Sequence, residues 1–104
     1  METTTTVSAL PVVDGECTIV CTGEFDMDTV ALVADACAEP AASMADVLLI
    51  DVTHVEFADS SLLNLLIWLR NRRRLVLGGP LPDQFQRLLE MAGLENLFDV
   101  RATT

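Results

Sequence analysis

The segment that most constrains the fold of this chain runs from residue 47 to residue 63. It begins with the apolar run Val47 to Ile50, whose lack of alternation indicates a central strand that is covered on both faces. Asp51 follows this run, and a short loop then leads to Asp59-Ser60-Ser61, directly before a leucine-rich helical pattern. These signals predict a buried strand, a loop and a helix that begins at about Ser60.

The N-terminal part of the chain carries the signals of a β-hairpin. Asp14-Gly15 is a strong tight-turn signal between two strand-like stretches, Val7 to Val13 and Glu16 to Thr22. Pro11 lacks a backbone N–H, so the first of these strands is expected at an edge of the sheet.

Apolar residues at helical spacing predict three helices. The first is capped by Asp26 or Asp28 and ends at Glu39-Pro40. The second runs to about Arg73, and the third ends before Gly93, a residue suited to the C′ position. The remaining signals are a short buried strand, a turn and a final strand: Leu75 to Leu77, Gly78-Gly79-Pro80, and Phe98 to Ala102.

The order of these elements predicts an α/β domain. We expect a mostly parallel sheet of four to five strands with an antiparallel N-terminal edge, and helices packed on it. Functional loops in such sheets cluster at the carboxyl ends of the parallel strands, so Thr22 to Asp26 and His54 to Ser61 are expected to form one surface. Residues 1 to 6 are expected to be a flexible tail, and residues 7 to 102 a single domain.

Composition argues against several classes of function. The chain has 104 residues and a formal net charge of −10, which disfavours sequence-independent binding to nucleic acid or to anionic lipid. Its apolar runs are too short for a membrane span. The basic run Arg70 to Arg74 lies at the end of a predicted helix, where cations complement the helix dipole. We therefore expect no membrane span and no direct contact with nucleic acid.

The cysteines and the single histidine bear on location and chemistry. The chain has an odd number of cysteines, namely Cys17, Cys21 and Cys37, and its N-terminus has no secretory signal. We therefore expect reduced thiols and a cytoplasmic protein. Alternation places Cys17 and Cys21 on one face of a strand, which favours core packing. His54 is the only histidine, and no Cys-x-x-Cys or Ser-His-Asp set is evident. We expect no metal, no cofactor and no catalysis by this chain.

The hydroxyls of Ser60 and Ser61 have two interpretations. Asp59 or Ser60 can cap the helix by accepting a hydrogen bond from a backbone amide, which is worth about 1 kcal/mol. Alternatively, Ser60 accepts a phosphate, which a helix N-terminus tolerates because its dipole favours negative charge by about 0.3–1 kcal/mol. Asp26 and Asp28 have the same two interpretations, as helix caps or as polar contacts to a partner. From the residues alone, both stay open.

Three parts of the chain, in the same order as in the family, resemble the STAS domain. The first is the segment 47 to 63, in which Asp51, Val55-Glu56-Phe57, Asp59-Ser60-Ser61 and Leu63 match the family signature. Thr22 to Asp26 resembles the step after the family's second strand, and Leu88 to Leu94 resembles its last helix. The resemblance covers roughly residues 7 to 102 and implies the α/β architecture described above.

The resemblance implies a bacterial anti-sigma-factor antagonist. Such a protein binds an anti-sigma factor, typically a serine kinase, and phosphorylation then dissociates the complex until a PP2C-like phosphatase resets the switch. Ser60 matches the family's phosphoacceptor, and ATP belongs to the kinase. Whether the chain also associates weakly with itself is left open. The residues expected to contact the partner are Asp26, Asp28, Asp59, Ser60, Ser61, Leu62 and Leu63.

Leu62 departs from the family pattern, which has glycine at this position. We expect its side chain to crowd the backbone beside Ser60 and to slow phosphorylation. The alternative function is a STAS scaffold that is not phosphorylated, or an accessory subunit of a signalling assembly or of a lipid- or anion-transport complex. Its docking face would be the widened apolar surface near Leu63, Ile67 and Trp68.

Overall fold

The computed structural model describes residues 4–102 as five strands and four helices. The elements are β1 (Thr6–Ala9), β2 (Glu16–Phe25), α1 (Val30–Ala38), α2 (Pro40–Met44), β3 (Val47–Ala58), α3 (Ser60–Arg70), β4 (Arg74–Gly79), α4 (Asp83–Met91) and β5 (Asp99–Ala102). The strands form one sheet in chain order, with β1 antiparallel to β2 and the other neighbours parallel. The predicted fold class, with its antiparallel N-terminal edge, is confirmed.

A tight turn joins β1 to β2, as predicted. Asp14-Gly15 has two positive φ angles, 52° and 77°, which is the geometry of the two-residue turns that suit the twist of a hairpin. Val13 and Glu16 exchange backbone hydrogen bonds of 3.0 and 2.9 Å across the turn. β1 ends at Ala9 and does not reach Val13, because Pro11 has no N–H to continue the ladder.

The chain before β1 lies against the end of β2. Thr5 Oγ1 donates a hydrogen bond of 3.1 Å to the carbonyl of Glu24 and accepts one of 3.2 Å from its N–H. Gly23 has a φ of 102°, and a Cβ there would lie 2.9 Å from Thr5 Cα, so this close approach requires glycine. Of the flexible tail predicted over residues 1 to 6, residues 1–3 lie outside the described residues, and Thr6 already belongs to β1.

β2 and β3 are longer than the sequence predicts. The sequence indicates loops from Thr22 and from His54 onward, but β2 continues to Phe25 and β3 to Ala58. The pairing of the two strands shifts register between Val20 and Thr22 and again just after Gly23. Bulges of this kind break the two-residue alternation by which a strand is recognised in a sequence.

The helices pack on one face of the sheet. Strands β2 to β5 advance in one direction, and right-handed crossovers then place all their helices on the same side. On that side Cys17, Ile19 and Cys21 are fully buried, whereas Thr18 and Val20 on the other side are half-buried.

The opposite face of the sheet is covered by side chains and not by helices. Arg101 of β5 forms an ion pair of 2.7 Å with Glu16 of β2, so these two side chains reach across β3 and β4. Leu49 of β3 is only 6% exposed on this face. The central strand β3 is therefore covered on both faces, as expected: helices cover one face, and side chains of the sheet cover the other.

The helix boundaries differ from the prediction in detail. α1 ends before Glu39-Pro40, as predicted, but Pro40 then opens the short α2, where the missing N–H costs nothing. α3 ends at Arg70 and not at about Arg73. Gly93 has a φ of 73° just after α4, which confirms its C′ role. No helix in the described part of the chain has the length and apolar character to span a membrane.

The arginines at the end of α3 and just after it join separate segments of the chain. Arg70 Nε donates a hydrogen bond of 3.0 Å to the carbonyl of Leu97. Arg73 donates to the carbonyls of Ala42 and Ala45, at 2.7 and 2.8 Å. The carbonyl of Ala42 also accepts a hydrogen bond of 3.2 Å from the N–H of Ala45, the C-cap residue of α2, so Arg73 and this amide together cap the helix. The basic run thus has a structural role.

The three cysteines are free and buried, as the core-packing prediction requires. Cys17 and Cys21 share the helix-facing side of β2, and Cys37 lies in α1. Burial raises the pKa of Cys21 to about 12 and that of Cys37 to about 11, so both thiols are protonated near neutral pH.

Candidate functional site

The carboxyl ends of β2 and β3 lie side by side. Phe25 and Ala58 are the last pair of residues between the two strands. The N–H of Asp59 then donates a hydrogen bond of 3.1 Å to the carbonyl of Phe25. The turn that follows β2 and the start of α3 are therefore adjacent, as the predicted topology requires.

Asp59 is the N-cap residue of α3. Its extended backbone, with φ −116° and ψ −170°, turns the chain into the helix, and its Oδ1 accepts a hydrogen bond of 2.8 Å from the N–H of Ser61. Ser60 occupies the first helical position and is exposed, and within residues 4–102 its hydroxyl has no hydrogen-bond partner. Of the two cap candidates that the sequence left open, Asp59 and Ser60, the helix uses Asp59.

Asp26 holds the turn between β2 and α1. Its Oδ1 accepts hydrogen bonds from the N–H groups of Asp28 and Thr29, at 2.9 and 3.2 Å. Thr29 Oγ1 accepts from the N–H of Asp26 and donates to the carbonyl of Glu24, both at 3.0 Å. Asp26 is half-buried by these contacts, whereas Asp28 is exposed. The turn has a defined shape, and it presents Asp28 to solvent. The N-cap residue of α1 is Thr29, without a side-chain cap, so the prediction that Asp26 or Asp28 caps this helix is wrong: α1 begins only at Val30, and Asp26 bonds amides of the preceding turn.

Leu62 and Leu63 lie inside the protein. Leu62 is fully buried and Leu63 is 4% exposed, both in the core beneath α3. Their side chains therefore lie apart from the surface formed by Asp59 and Ser60. The expectation that Leu62 crowds the backbone beside Ser60 is wrong, because its side chain points into the core and offers nothing for an approaching kinase to meet.

Two exposed apolar side chains occur in the same two segments. Met27, between Asp26 and Asp28, is 77% exposed, and Phe57, two residues before Asp59, is 43% exposed. Aromatic residues and methionine are enriched at protein interfaces. Phe57 entered the sequence argument only as part of a motif, and Met27 gave no signal because a single apolar residue between acids has no period.

The site is acidic around these apolar side chains. Its carboxylates are those of Glu24, Asp26, Asp28, Glu56 and Asp59, and no basic side chain lies within Glu24 to Asp28 or Val55 to Ser61. A partner that covers this surface has to supply positive charge or donors to these groups.

A residue that the sequence gave no reason to select contacts the site from α4. Gln84 Nε2 donates a hydrogen bond of 2.8 Å to the carbonyl of Ala58, and Gln84 Oε1 accepts one of 2.9 Å from the N–H of the same residue. The end of β3, directly before Asp59, is therefore held by a side chain from a distant helix.

A second surface feature lies between α1 and α3. It is a mostly apolar groove of about 440 Å³ whose lining includes Cys37, Leu65 and Trp68. Trp68 is 51% exposed, and the guanidinium of Arg72 lies 4.0 Å from its ring centre. Of the apolar face predicted near Leu63, Ile67 and Trp68, the tryptophan is exposed, Ile67 is half-buried and Leu63 is buried.

Comparisons with solved structures agree on this architecture. The chain is similar to an anti-sigma factor antagonist from Mycobacterium paratuberculosis, with 26% sequence identity and a TM-score of 0.74 over 99% of this chain and 87% of that chain. It has the fold of the anti-sigma factor antagonist SpoIIAA in its unphosphorylated form, at 18% identity and a TM-score of 0.69, over 93% of this chain and 89% of that one. The phosphorylated form of the Bacillus cell fate determinant SpoIIAA gives 15% identity and a TM-score of 0.58, over 93% and 92%.

The family comparison covers most of the chain. A search of curated proteins finds no match. Residues 8–99 match the family model described as "Mlab, STAS domain". This range contains the whole of the β2–β3 and β3–β4 pairings and the segment from Asp51 to Leu63 on which the resemblance first rested, and it ends at Asp99, the first residue of β5. The chain belongs to the STAS domain family.

Proposed function

We propose that the chain is an anti-sigma-factor antagonist that binds its partner through a switch surface, defined as residues 26–28 and 56–60. The solved relative from Mycobacterium paratuberculosis, named as such an antagonist, supports this role because the identity of 26% extends over 99% of the chain. The observation that carries the proposal is the exposed hydroxyl of Ser60 beside an N-cap that Asp59 supplies.

Phosphorylation of Ser60 is the proposed switch. A kinase transfers the γ-phosphoryl group of ATP to Ser60 Oγ, and ADP and a proton leave. The phosphate adds about −1.5 to −2 charges at the first turn of α3, where the helix dipole favours negative charge by about 0.3–1 kcal/mol. Because Asp59 and not Ser60 holds the cap, the modification leaves the hydrogen bond to Ser61 in place. The fold is retained and the surface changes.

The added charge weakens the complex because the switch surface is already acidic. Asp28 and Glu56 are exposed, and Asp59 lies next to Ser60. A partner that accommodates these carboxylates in the unmodified complex has to desolvate a further dianion after phosphorylation. An unpaired charge at an interface costs more than a neutral hydroxyl, so the complex dissociates.

The other components of the switch follow from this chemistry. The partner is an anti-sigma factor that is itself a serine kinase and binds the ATP, and a PP2C-like phosphatase restores the hydroxyl. This chain then acts by binding and needs no cofactor. The proposal places the protein in the cytoplasm, where the sigma factor, the anti-sigma factor and ATP meet.

The direct test is to incubate the purified chain with ATP and each serine-kinase anti-sigma factor of its source genome, and to map phosphate by mass spectrometry. We expect a single phosphate, on Ser60. Ser60→Ala should abolish labelling and retain binding, and Ser61→Ala, the matched control one residue further on, should still be labelled. Labelling at Ser61 with Ser60 untouched would overturn the assignment.

A second function is favoured by the groove between α1 and α3. An exposed tryptophan beside an apolar groove is typical of a docking surface, and an accessory or scaffold subunit would use it without phosphorylation. Trp68→Ala and Ser60→Asp separate the two functions in a pull-down from the source organism. Loss of the bound partner only with Trp68→Ala favours the scaffold, and loss only with Ser60→Asp favours the switch.

A further inference from the structure

Strand β3 extends beyond its neighbour β4. The last paired residues of the two strands are Asp51 and Gly78, yet β3 continues to Ala58. Along this extension β2 still pairs with β3 on one side. On the other side the ladder has ended, and backbone polar groups that are buried there need partners other than a strand.

Side chains supply these partners. Asp51 Oδ1 accepts a hydrogen bond of 3.0 Å from the N–H of Thr53, just after the ladder ends. Gln84 does the same at the far end of the extension, where its amide bonds both the N–H and the carbonyl of Ala58. A flat carboxamide offers an NH2 donor and a carbonyl acceptor side by side, which are the two groups that a residue of a neighbouring strand would present. Gln84 therefore takes the place of one residue of a missing strand.

The position of this contact links it to the switch surface. Ala58 is only 1% exposed, and it is followed directly by Asp59 and Ser60. The N–H of Asp59 points the other way, to the carbonyl of Phe25. The end of β3 is thus fixed from both sides, by Gln84 from α4 and by Phe25 from β2.

We propose that Gln84 is a positioning residue for the switch surface: it fixes the end of β3 and thereby the direction in which Asp59 and Ser60 enter α3. The effect on phosphorylation of Ser60 rests on the proposed function, whereas the fixing of the strand end does not. Holding α4 on the sheet does not require Gln84, because Phe85 and Leu89 of the same helix are fully or almost fully buried. A local role and a global one can therefore be separated.

The chain offers a matched control on the same helix. Gln86 is two residues from Gln84, and within residues 4–102 its side chain bonds only the side chain of Glu90, at 3.2 Å. Gln84→Met keeps the length and the helix propensity of the side chain and removes both hydrogen bonds to Ala58. Gln84→Glu keeps an acceptor for the N–H but places a carboxylate oxygen against the carbonyl. Gln86→Met makes the same chemical change where no strand end is held.

Amide hydrogen exchange, followed by NMR on the isolated chain, is the test. With Gln84→Met we expect exchange at the Ala58, Asp59 and Ser61 amides to accelerate by about tenfold or more, because the buried groups of Ala58 lose both partners. Amides in the middle of α4 and at Ile50 should accelerate less, by no more than the loss of global stability, and Gln86→Met should change none of them. Gln84→Glu should act in the same direction, so the test survives if the methionine variant folds poorly.

Two outcomes overturn the proposal. If exchange at Ala58, Asp59 and Ser61 is unchanged, Gln84 does not hold the strand end. If exchange accelerates equally across the sheet, its role is general stability. A kinase assay adds the functional consequence: kcat/KM for Ser60 should fall at least severalfold in Gln84→Met and not in Gln86→Met. If no kinase labels the wild-type chain, the switch is wrong, while the exchange data still decide the role of Gln84.

Discussion

Replacement of Asp59 tests the division of roles at the start of α3. Asp59→Ala removes the oxygen that accepts the 2.8 Å hydrogen bond from the N–H of Ser61, and alanine cannot replace it. Loss of an N-cap costs about 1 kcal/mol, within a range of about 0.5–2 kcal/mol. For a domain of this size, a change of 1 kcal/mol shifts Tm by about 4–8 °C. In urea denaturation we expect the free energy of unfolding of Asp59→Ala to fall by about 1 kcal/mol, with an unchanged m-value.

Two further variants separate the cap from the charge and from the neighbouring hydroxyl. Asp59→Asn keeps an acceptor oxygen and removes the charge. Its free energy of unfolding should therefore fall below wild type by no more than the dipole contribution of about 0.3–1 kcal/mol, which is less than the loss in Asp59→Ala. Ser60→Ala changes an exposed side chain with no cap role and should stay within about 0.5 kcal/mol of wild type. If Ser60→Ala destabilises as much as Asp59→Ala, Ser60 is the cap and its hydroxyl is not available for a kinase.

Four other outcomes follow from the same structure. Ser60→Asp should change the free energy of unfolding by less than about 1 kcal/mol but weaken anti-sigma binding severalfold or more in calorimetry, and equal affinity would exclude Ser60 from the interface. Leu62→Gly should lose about 3 kcal/mol or more in urea denaturation, because it removes a fully buried leucine and adds the helix penalty of glycine, and it should not accelerate phosphorylation. Met27→Ala should weaken partner binding by about fivefold or more, whereas Met44→Ala, an exposed methionine at the end of α2, should not. Burial raises the pKa of Cys21 from 9.0 to about 12, so the folded state holds the thiol proton more tightly, and stability should fall as pH rises above about 9; Cys21→Ala should reduce that slope in urea titrations at pH 8 and pH 10.

The order of the elements could be predicted because its signals are local. Asp14-Gly15 specifies a turn by its own backbone preferences, and Glu39-Pro40 ends a helix by sterics within two residues. The extension of β3 to Ala58 could not be predicted, because it depends on a bulged pairing with β2 that has no trace in the sequence of β3 alone. α2 was missed for a related reason: five residues are too few to show a helical period.

The candidate site was predictable in its place but not in its contacts. Parallel topology alone brings the ends of β2 and β3 together. The choice between Asp59 and Ser60 as the cap could not be made from sequence, because both residue types cap well and the choice depends on which of them has the extended backbone, here Asp59. Gln84 could not be found, because it lies 26 residues from Ala58 and a polar side chain on an amphipathic helix normally faces solvent.

The geometry at the start of α3 explains how one short segment can serve both stability and regulation. A cap side chain has to stay bonded to a backbone amide, whereas a phosphoacceptor has to leave the surface and enter a kinase. If one residue did both, each phosphorylation would break its cap hydrogen bond and lower the free energy of unfolding by about 1 kcal/mol. Under the proposed switch the two tasks fall to neighbours, since Asp59 holds the amide of Ser61 and Ser60 stays exposed. The strand end before them is hydrogen-bonded to Gln84 on one side and to Phe25 on the other, so under the two proposals a kinase would meet a helix start of defined direction with a free hydroxyl.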